Sequence, residues 1–214
     1  MITRAPFSDR LTRTRVIGVL RAPHVSALAP VCDVLVEEGI LSLELTLTTP
    51  GLLKSLSGLV DRYAGTADVG VGTVLETDQA WQAAESGAQF LVTPIMNVQV
   101  VEVAVKNKIP VIPGGLTPTE LAAGWQAGAT AVKIFPAETV GVGYLKHLRG
   151  PLPDLQVVPS GGVDLGAARE WLAAGAVAVS IGGPLVGDAL SGGDTRELRR
   201  RCREVLAVTQ LARP

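Results

Sequence analysis

Lys133 lies inside the run Thr130-Ala-Val-Lys-Ile-Phe-Pro-Ala-Glu138, which is largely apolar, rich in strand-forming residues and broken by a proline. The run reads as a short buried strand carrying one lysine. Strand alternation puts Val132 and Ile134 on one face and Ala131, Lys133 and Phe135 on the other. The other lysines, Lys54, Lys106, Lys108 and Lys146, fall in segments that read as exposed helix or turn. A lysine is rarely buried without a partner or a task. An amine held away from water gives up its charge more readily than a wetted one, and a neutral amine attacks ketones. The same residue could equally close a buried ion pair, and this stretch alone leaves both readings open.

Glu44 repeats the pattern. Leu41-Ser-Leu-Glu-Leu-Thr46 alternates strictly, so Ser42, Glu44 and Thr46 share one face. Arg21 directly follows the apolar strand Val16–Leu20. With Thr46, Thr73, Thr93 and Lys133, these residues make up the polar set at strand C-terminal ends. A carboxylate and an amine there are either a structural pair or a base and a nucleophile. Arg21 adds a second cation. Three ionisable groups at strand ends are better explained by a site than by packing.

Two glycine pairs add an anion-binding element. Gly161-Gly162 follows one strand, and Gly182-Gly183 follows the next. Paired glycines let backbone N–H groups approach a ligand, and helix N-termini favour negative charge. The plain alternative is two tight turns. The histidines, His24 and His147, stand alone near helix ends, and no His/Asp/Glu cluster has ligand spacing. No Ser/His/Asp arrangement is visible at the strand ends. No metal and no cofactor is expected, so Lys133 has to supply any electrophile activation.

The elements that must position these residues recur as strand then helix. Strands are expected at Val16–Leu20, Leu41–Thr46, Asp68–Gly72, Gln89–Thr93, Ile109–Pro113, around Lys133, Leu155–Pro159 and Ala176–Ile181. Helices follow each, from Val25–Gly39 to Asp194–Leu206. A short amphipathic helix, Phe7–Thr14, precedes them as a cover for the bottom of the sheet. Thr49-Pro50 reads as an N-cap and first helical residue, and Thr117-Pro-Thr-Glu120 as a capping box. Eight such units within 214 residues predict an α/β fold, a (β/α)₈ TIM barrel forming one domain over residues 1–214. An open doubly wound sheet is the competitor. In barrels, sites lie at strand C-terminal ends, and phosphate sites recur after strands seven and eight.

A formal net charge of -1 does not suggest nucleic acid or an anionic membrane as partner. The patch Arg199, Arg200, Arg201 and Arg203 alternates with Glu197 and Glu204 and reads as a solvated helix face. Cys32 and Cys202 are far apart and form no disulfide framework. With no signal peptide and no apolar run of membrane-spanning length, a cytoplasmic protein is expected. A hydrophobic content of 47% suggests that another copy of the chain covers some apolar surface.

At this point the chain resembles the class I 2-keto-3-deoxy-6-phosphogluconate (KDPG) aldolases and 4-hydroxy-2-oxoglutarate aldolases. The resemblance is carried by Gly18-Val-Leu-Arg-Ala22, Glu44-Leu-Thr46, Val71-Gly-Thr-Val74, Ala88-Gln-Phe-Leu-Val-Thr-Pro94, Pro113-Gly114 with Thr117-Pro-Thr-Glu120, Lys133-Ile-Phe-Pro-Ala-Glu138, Gly150-Pro151 with Pro153, and Pro159-Ser-Gly-Gly-Val163. These segments run in family order over nearly the whole chain. The resemblance implies Lys133 as the Schiff-base lysine and Glu44 as the general acid/base. It implies Arg21 and Thr73 near the pyruvate carboxylate, and Pro94 and Phe135 as the apolar wall. Gly161, Gly162, Gly182 and Gly183 would hold the substrate phosphate. It also implies a homotrimer of barrels acting on a 2-keto acid and releasing pyruvate.

Two departures from the family pattern stand out. Many members carry an arginine shortly after the glutamate, where this chain has Thr46-Leu-Thr-Thr49, leaving carboxylate recognition to Arg21. Many have a serine where this chain has Pro184, which offers no backbone donor. The alternatives are the same chemistry on 4-hydroxy-2-oxoglutarate, a phosphorylated galactonate analogue or another 2-keto-4-hydroxy acid; a phosphate-binding isomerase or synthase; and a non-catalytic trimeric scaffold.

Overall fold

Every strand expected from the apolar patterning forms, and all of them pair in parallel. The structure is a computed structural model and describes residues 4–211; residues 1–3 and 212–214 of the expected domain lie outside the described residues. Helix α1 (Asp9–Thr14) leads into β1 (Val16–Leu20), α2 (Leu28–Glu37), β2 (Ser42–Thr46), α3 (Leu52–Arg62) and β3 (Asp68–Gly72). Then come α4 (Thr77–Glu85), β4 (Leu91–Val92), α5 (Val98–Lys106), β5 (Val111–Ile112), β6 (Gly114–Gly115), α6 (Pro118–Gln126) and β7 (Val132–Ile134). The chain continues through α7 (Gly143–Arg149), β8 (Val157–Pro159), α8 (Leu165–Ala173), β9 (Val179–Ile181), α9 (Gly183–Val186) and α10 (Thr195–Leu211).

The strands make a six-stranded parallel sheet, β5-β4-β3-β2-β1-β9, and a three-stranded one, β6-β7-β8. The fold is thus α/β with parallel sheets. The strand expected over Ile109–Pro113 forms as β5, and β6 lies just beyond its expected end, an additional short strand not expected from the sequence. Pro113 has no N–H to give a ladder, and the chain passes from one sheet to the other across it. An isolated parallel bridge, Ser160↔Ser180, connects the end of β8 to β9.

Alternation sorts the strand residues between two cores. Val16, Leu20, Leu43, Leu45, Val69 and Val71 pack with the helices in the larger cluster. Ile17, Phe90, Val92, Ile112, Ala131, Val158 and Ala178 form a second cluster on the opposite face, joined there by Leu11 of α1. That contact makes α1 the expected cover. Ser8 caps it by accepting from the Leu11 N–H at 3.1 Å, and also hydrogen-bonds the buried Asp68 carboxylate. Arg10 pairs with the same carboxylate at 3.1 Å.

The Thr117–Glu120 capping box forms as expected. Thr49 does not cap α3. That helix starts at Leu52 behind a left-handed Gly51, and the Thr49 hydroxyl accepts from the Ala22 N–H at 3.0 Å. The arginine patch on α10 is more than a solvated face. Arg199 and Arg203 pair with Glu38 at the end of α2, each within 2.9 Å. Arg201 donates to the carbonyls of Leu185 and Val186 at 2.7 and 3.0 Å, pinning α9. Among the described residues no helix is long and apolar enough to cross a membrane.

Candidate active site

Lys133 is the buried lysine of the chain, 6% exposed, whereas Lys54, Lys106, Lys108 and Lys146 are all exposed. Its strand is fixed on both sides. Gly114 and Val158 are its register partners, and its N–H donates to the Pro113 carbonyl at 2.8 Å. The side chain enters a cavity of about 430 Å³, as does that of Glu44 on β2. Glu44 is 1% exposed and held in register with Val19 and Gly70.

The ion-pair reading of Lys133 is not realised. No carboxylate among the described residues lies within 4.0 Å of its amine. Its nearest aromatic partner is Phe135, whose ring centroid is 4.9 Å from Nζ. Among the described residues no cation lies within 4.0 Å of Glu44 either; Ser180 Oγ donates to its Oε2 at 3.4 Å.

Arg21, Thr73 and Pro94 line the same cavity, together with Phe135, Gly161, Gly162, Gly182 and Gly183. All ten residues expected at the site are thus brought together. Arg21 is exposed at the mouth and takes part in none of the ion pairs of the described residues. Its guanidinium is free to fork onto an anion. Thr73 is a β-branched residue at φ 60, a conformation that such residues adopt only when the surroundings impose it. The Val74 N–H imposes it by donating to Val92 O at 3.2 Å, which turns the chain just after β3. Gly161 and Gly162 have φ of 82 and 72, and a Cβ at Gly161 would meet the Phe135 ring at 3.1 Å. These glycines therefore do what the turn reading required while also lining the cavity.

Thr93 differs from the other strand-end residues. Its hydroxyl accepts from the Gly114 N–H at 3.0 Å and donates to Ile95 O, so it fastens backbone and does not line the cavity. Thr46 does line it, and its hydroxyl is shared between Leu20 O at 3.2 Å and Thr48 Oγ1 at 3.0 Å. Ser160, Ser180 and Ser191 also line the cavity and were not picked out from the sequence. Ser180 carried the same signal as Glu44 and Lys133: a polar residue flanked by Val179 and Ile181 in a strand.

Residues 7–200 match the family model described as KDPG and KHG aldolase. The chain belongs to that aldolase family. The 2-dehydro-3-deoxy-phosphogluconate aldolase of Dickeya dadantii (strain 3937) is 34% identical over 199 residues, covering 92% of this chain and 93% of the relative. The 2-dehydro-3-deoxy-6-phosphogalactonate aldolase of Escherichia coli (strain K12) is 33% identical, covering 81% of this chain and 85% of the relative. The crystal structure of the Legionella pneumophila KDPG aldolase, with pyruvate captured as a covalent carbinolamine, superposes with a TM-score of 0.84. It is 28% identical over 92% of this chain and 96% of that one.

Thr48 lies beside Thr46, and Arg21 and Lys133 are the two basic residues that line the cavity. Pro184 lines it next to Gly183. Among the described residues no group of three His, Cys, Asp or Glu could hold a metal ion.

Proposed function

We propose that this aldolase reversibly cleaves 2-keto-3-deoxy-6-phosphogluconate to pyruvate and glyceraldehyde 3-phosphate, through a Schiff base on Lys133. The observation that carries the reading is a buried amine, free of any carboxylate within 4.0 Å, that shares one cavity with the buried Glu44.

Lys133 Nζ in its neutral form attacks the C2 ketone, and the carbinolamine loses water to leave an iminium. Glu44 takes the proton of the C4 hydroxyl. The C3–C4 bond breaks, the aldehyde leaves, and the bonding pair moves into the iminium to give an enamine. Glu44 returns a proton to C3, and water releases pyruvate from the lysine. Arg21 holds the carboxylate, which sets the angle of the ketone to the amine. The Phe135 ring, already beside Nζ, offers its face to the cationic iminium. Thr73 lies near the carboxylate end, Pro94 forms part of the wall, and Gly161, Gly162, Gly182 and Gly183 receive the phosphate.

Pro184 favours a second reading of the substrate. It removes one backbone donor from the phosphate end, so a 2-keto-4-hydroxy acid without phosphate, such as 4-hydroxy-2-oxoglutarate, fits the same chemistry. A phosphorylated galactonate analogue is the third candidate.

The sheets belong to one closed (β/α)₈ barrel in a single domain. Closure is supported by the Ser160↔Ser180 bridge and the Val177 N–H on Val157 O at 3.0 Å. On the other side, the Lys133 and Thr130 N–H groups reach Pro113 O and Val111 O. The assembly is a homotrimer in the cytoplasm. Leu75, Ile95 and Val98 leave apolar surface beside the strand ends for another copy to cover.

Borohydride added with pyruvate is expected to fix a reduced adduct on Lys133, located by peptide mass. A folded protein that gains no such mass has no Schiff base, and the reading fails. Pyruvate release from the three candidate acids then ranks them as substrates.

A further inference from the structure

We propose that Ser180 is a positioning residue for the Glu44 carboxylate; the proposal rests on Glu44 being the acid–base group. Ser180 Oγ donates to Glu44 Oε2 at 3.4 Å, with the two residues 3% and 1% exposed. The contact crosses the inner face of β1. Ser180 is in register with Ile17, and Glu44 with Val19 two residues further on. Alternation on β9 places Ala178 in the inner apolar cluster and Gly182 at the cavity, with Ser180 between them on the same face.

Among the described residues no other side chain hydrogen-bonds this carboxylate. Its other oxygen, Oε1, lies against Gly72, which has no polar side chain to offer. A hydroxyl suits the task because it donates to an ionised carboxylate and accepts from a protonated one. Ser180 can therefore hold Glu44 through both halves of a proton-transfer cycle. Its own backbone is pinned by the bridge to Ser160 and by the neighbouring Val179 N–H on Arg15 O at 3.0 Å.

The measurement is exchange of pyruvate methyl protons in deuterated water, followed by NMR, which isolates proton transfer at C3 from carbon–carbon cleavage. Ser180→Ala is expected to slow exchange about tenfold with pyruvate KM changed by less than about twofold. Borohydride trapping on Lys133 stays complete, which also shows the variant to be folded. Ser180→Thr, which keeps the hydroxyl, restores exchange to within about threefold of wild type. In a Glu44→Gln background, Ser180→Ala has no further effect. Wild-type exchange in Ser180→Ala alongside slow exchange in Glu44→Gln overturns the positioning role and leaves the acid–base reading intact. Losses that multiply in the double variant also overturn it. Wild-type exchange in Glu44→Gln removes the acid–base reading, and the role of Ser180 falls with it.

Discussion

The Glu44 carboxylate lies against the α-carbon of Gly72: a methyl group there would come within 2.0 Å of Oε1. Gly72 is the last residue of β3 and is paired with Thr46 on β2, so the strand that carries the acid and the strand that clears space for it are hydrogen-bonded neighbours. A real Cβ does not approach an oxygen so closely, and the carboxylate has to move. Gly72→Ala is therefore expected to displace Glu44 while leaving Lys133 untouched. Turnover falls about a hundredfold, as misplacement by about 1 Å commonly causes. Borohydride trapping of pyruvate continues. Comparing kcat with the trapped fraction checks this, and loss of both together would mean that the substitution disturbs the whole sheet.

Arg21 is predicted to govern affinity for the keto-acid carboxylate, because it is the basic lining residue not used in covalent chemistry and, among the described residues, has no ion-pair partner to distract it. Arg21→Ala should raise pyruvate KM in the exchange assay by about tenfold or more, the worth of a charge-assisted hydrogen bond. Arg21→Lys keeps the charge but loses the fork and recovers only part of it. An unchanged KM in Arg21→Ala would move the carboxylate to another group.

Strand alternation made Glu44 and Lys133 legible, since a polar residue between two buried apolar ones has to face the second side of the sheet. The same rule applied to Ser180, which passes unnoticed because serine is a common strand residue and carries no charge. Local grammar failed where a side chain serves a distant backbone. Thr49 precedes a proline and a helical run, yet its hydroxyl is taken by Ala22, 27 residues away. The stop of the fifth strand at Pro113 follows from a missing N–H, but that Gly114–Gly115 beyond it joins the other sheet depends on pairing that only the folded chain decides. Arg201 reads as one of four surface arginines; its bonds to Leu185 and Val186 depend on how α10 packs against α9.

That clamp predicts a substrate effect at a distance. Arg201 holds two carbonyls of α9, and Gly187 after it leaves no room for a side chain, since a Cβ would lie 2.7 Å from the guanidinium. Arg201→Ala frees the segment that follows Gly182 and Gly183 and strands two carbonyls, at about 1–3 kcal/mol of stability for each that stays buried. KM for the phosphorylated acid should rise severalfold, while pyruvate methyl exchange, which needs no phosphate, stays near wild type. Equal losses in both assays would show that the clamp supports the fold and not the distal end of the cavity.

The two thiols should be silent in the native protein. Burial pushes the Cys32 thiol up to about 12 and the Cys202 thiol up to about 11, and neither side chain is exposed. Little thiolate forms at neutral pH, and reagents have no path to it. A chromogenic disulfide reagent is expected to titrate no thiol in buffer and two in denaturant. Rapid reaction of either thiol in buffer would mean that α2 or α10 opens readily.

Glu38 couples α2 to α10, and its titration makes that coupling depend on pH. Hydrogen bonds from Arg203 and then Arg199 lower its carboxyl from 4.5 to about 2. A depressed carboxyl stabilises the fold above its unfolded value and loses that contribution as pH falls through the folded value. The window therefore runs from about 4.5 down to about 2. Urea unfolding of wild type and Glu38→Gln across that range is the check. The wild-type advantage should be full at neutral pH, shrink steadily through the window and vanish near its lower edge. Because Arg203 is exposed, raising salt at neutral pH should also narrow the gap. A difference that ignores both pH and salt would mean that Glu38 holds the two helices by packing of its stem and not by charge.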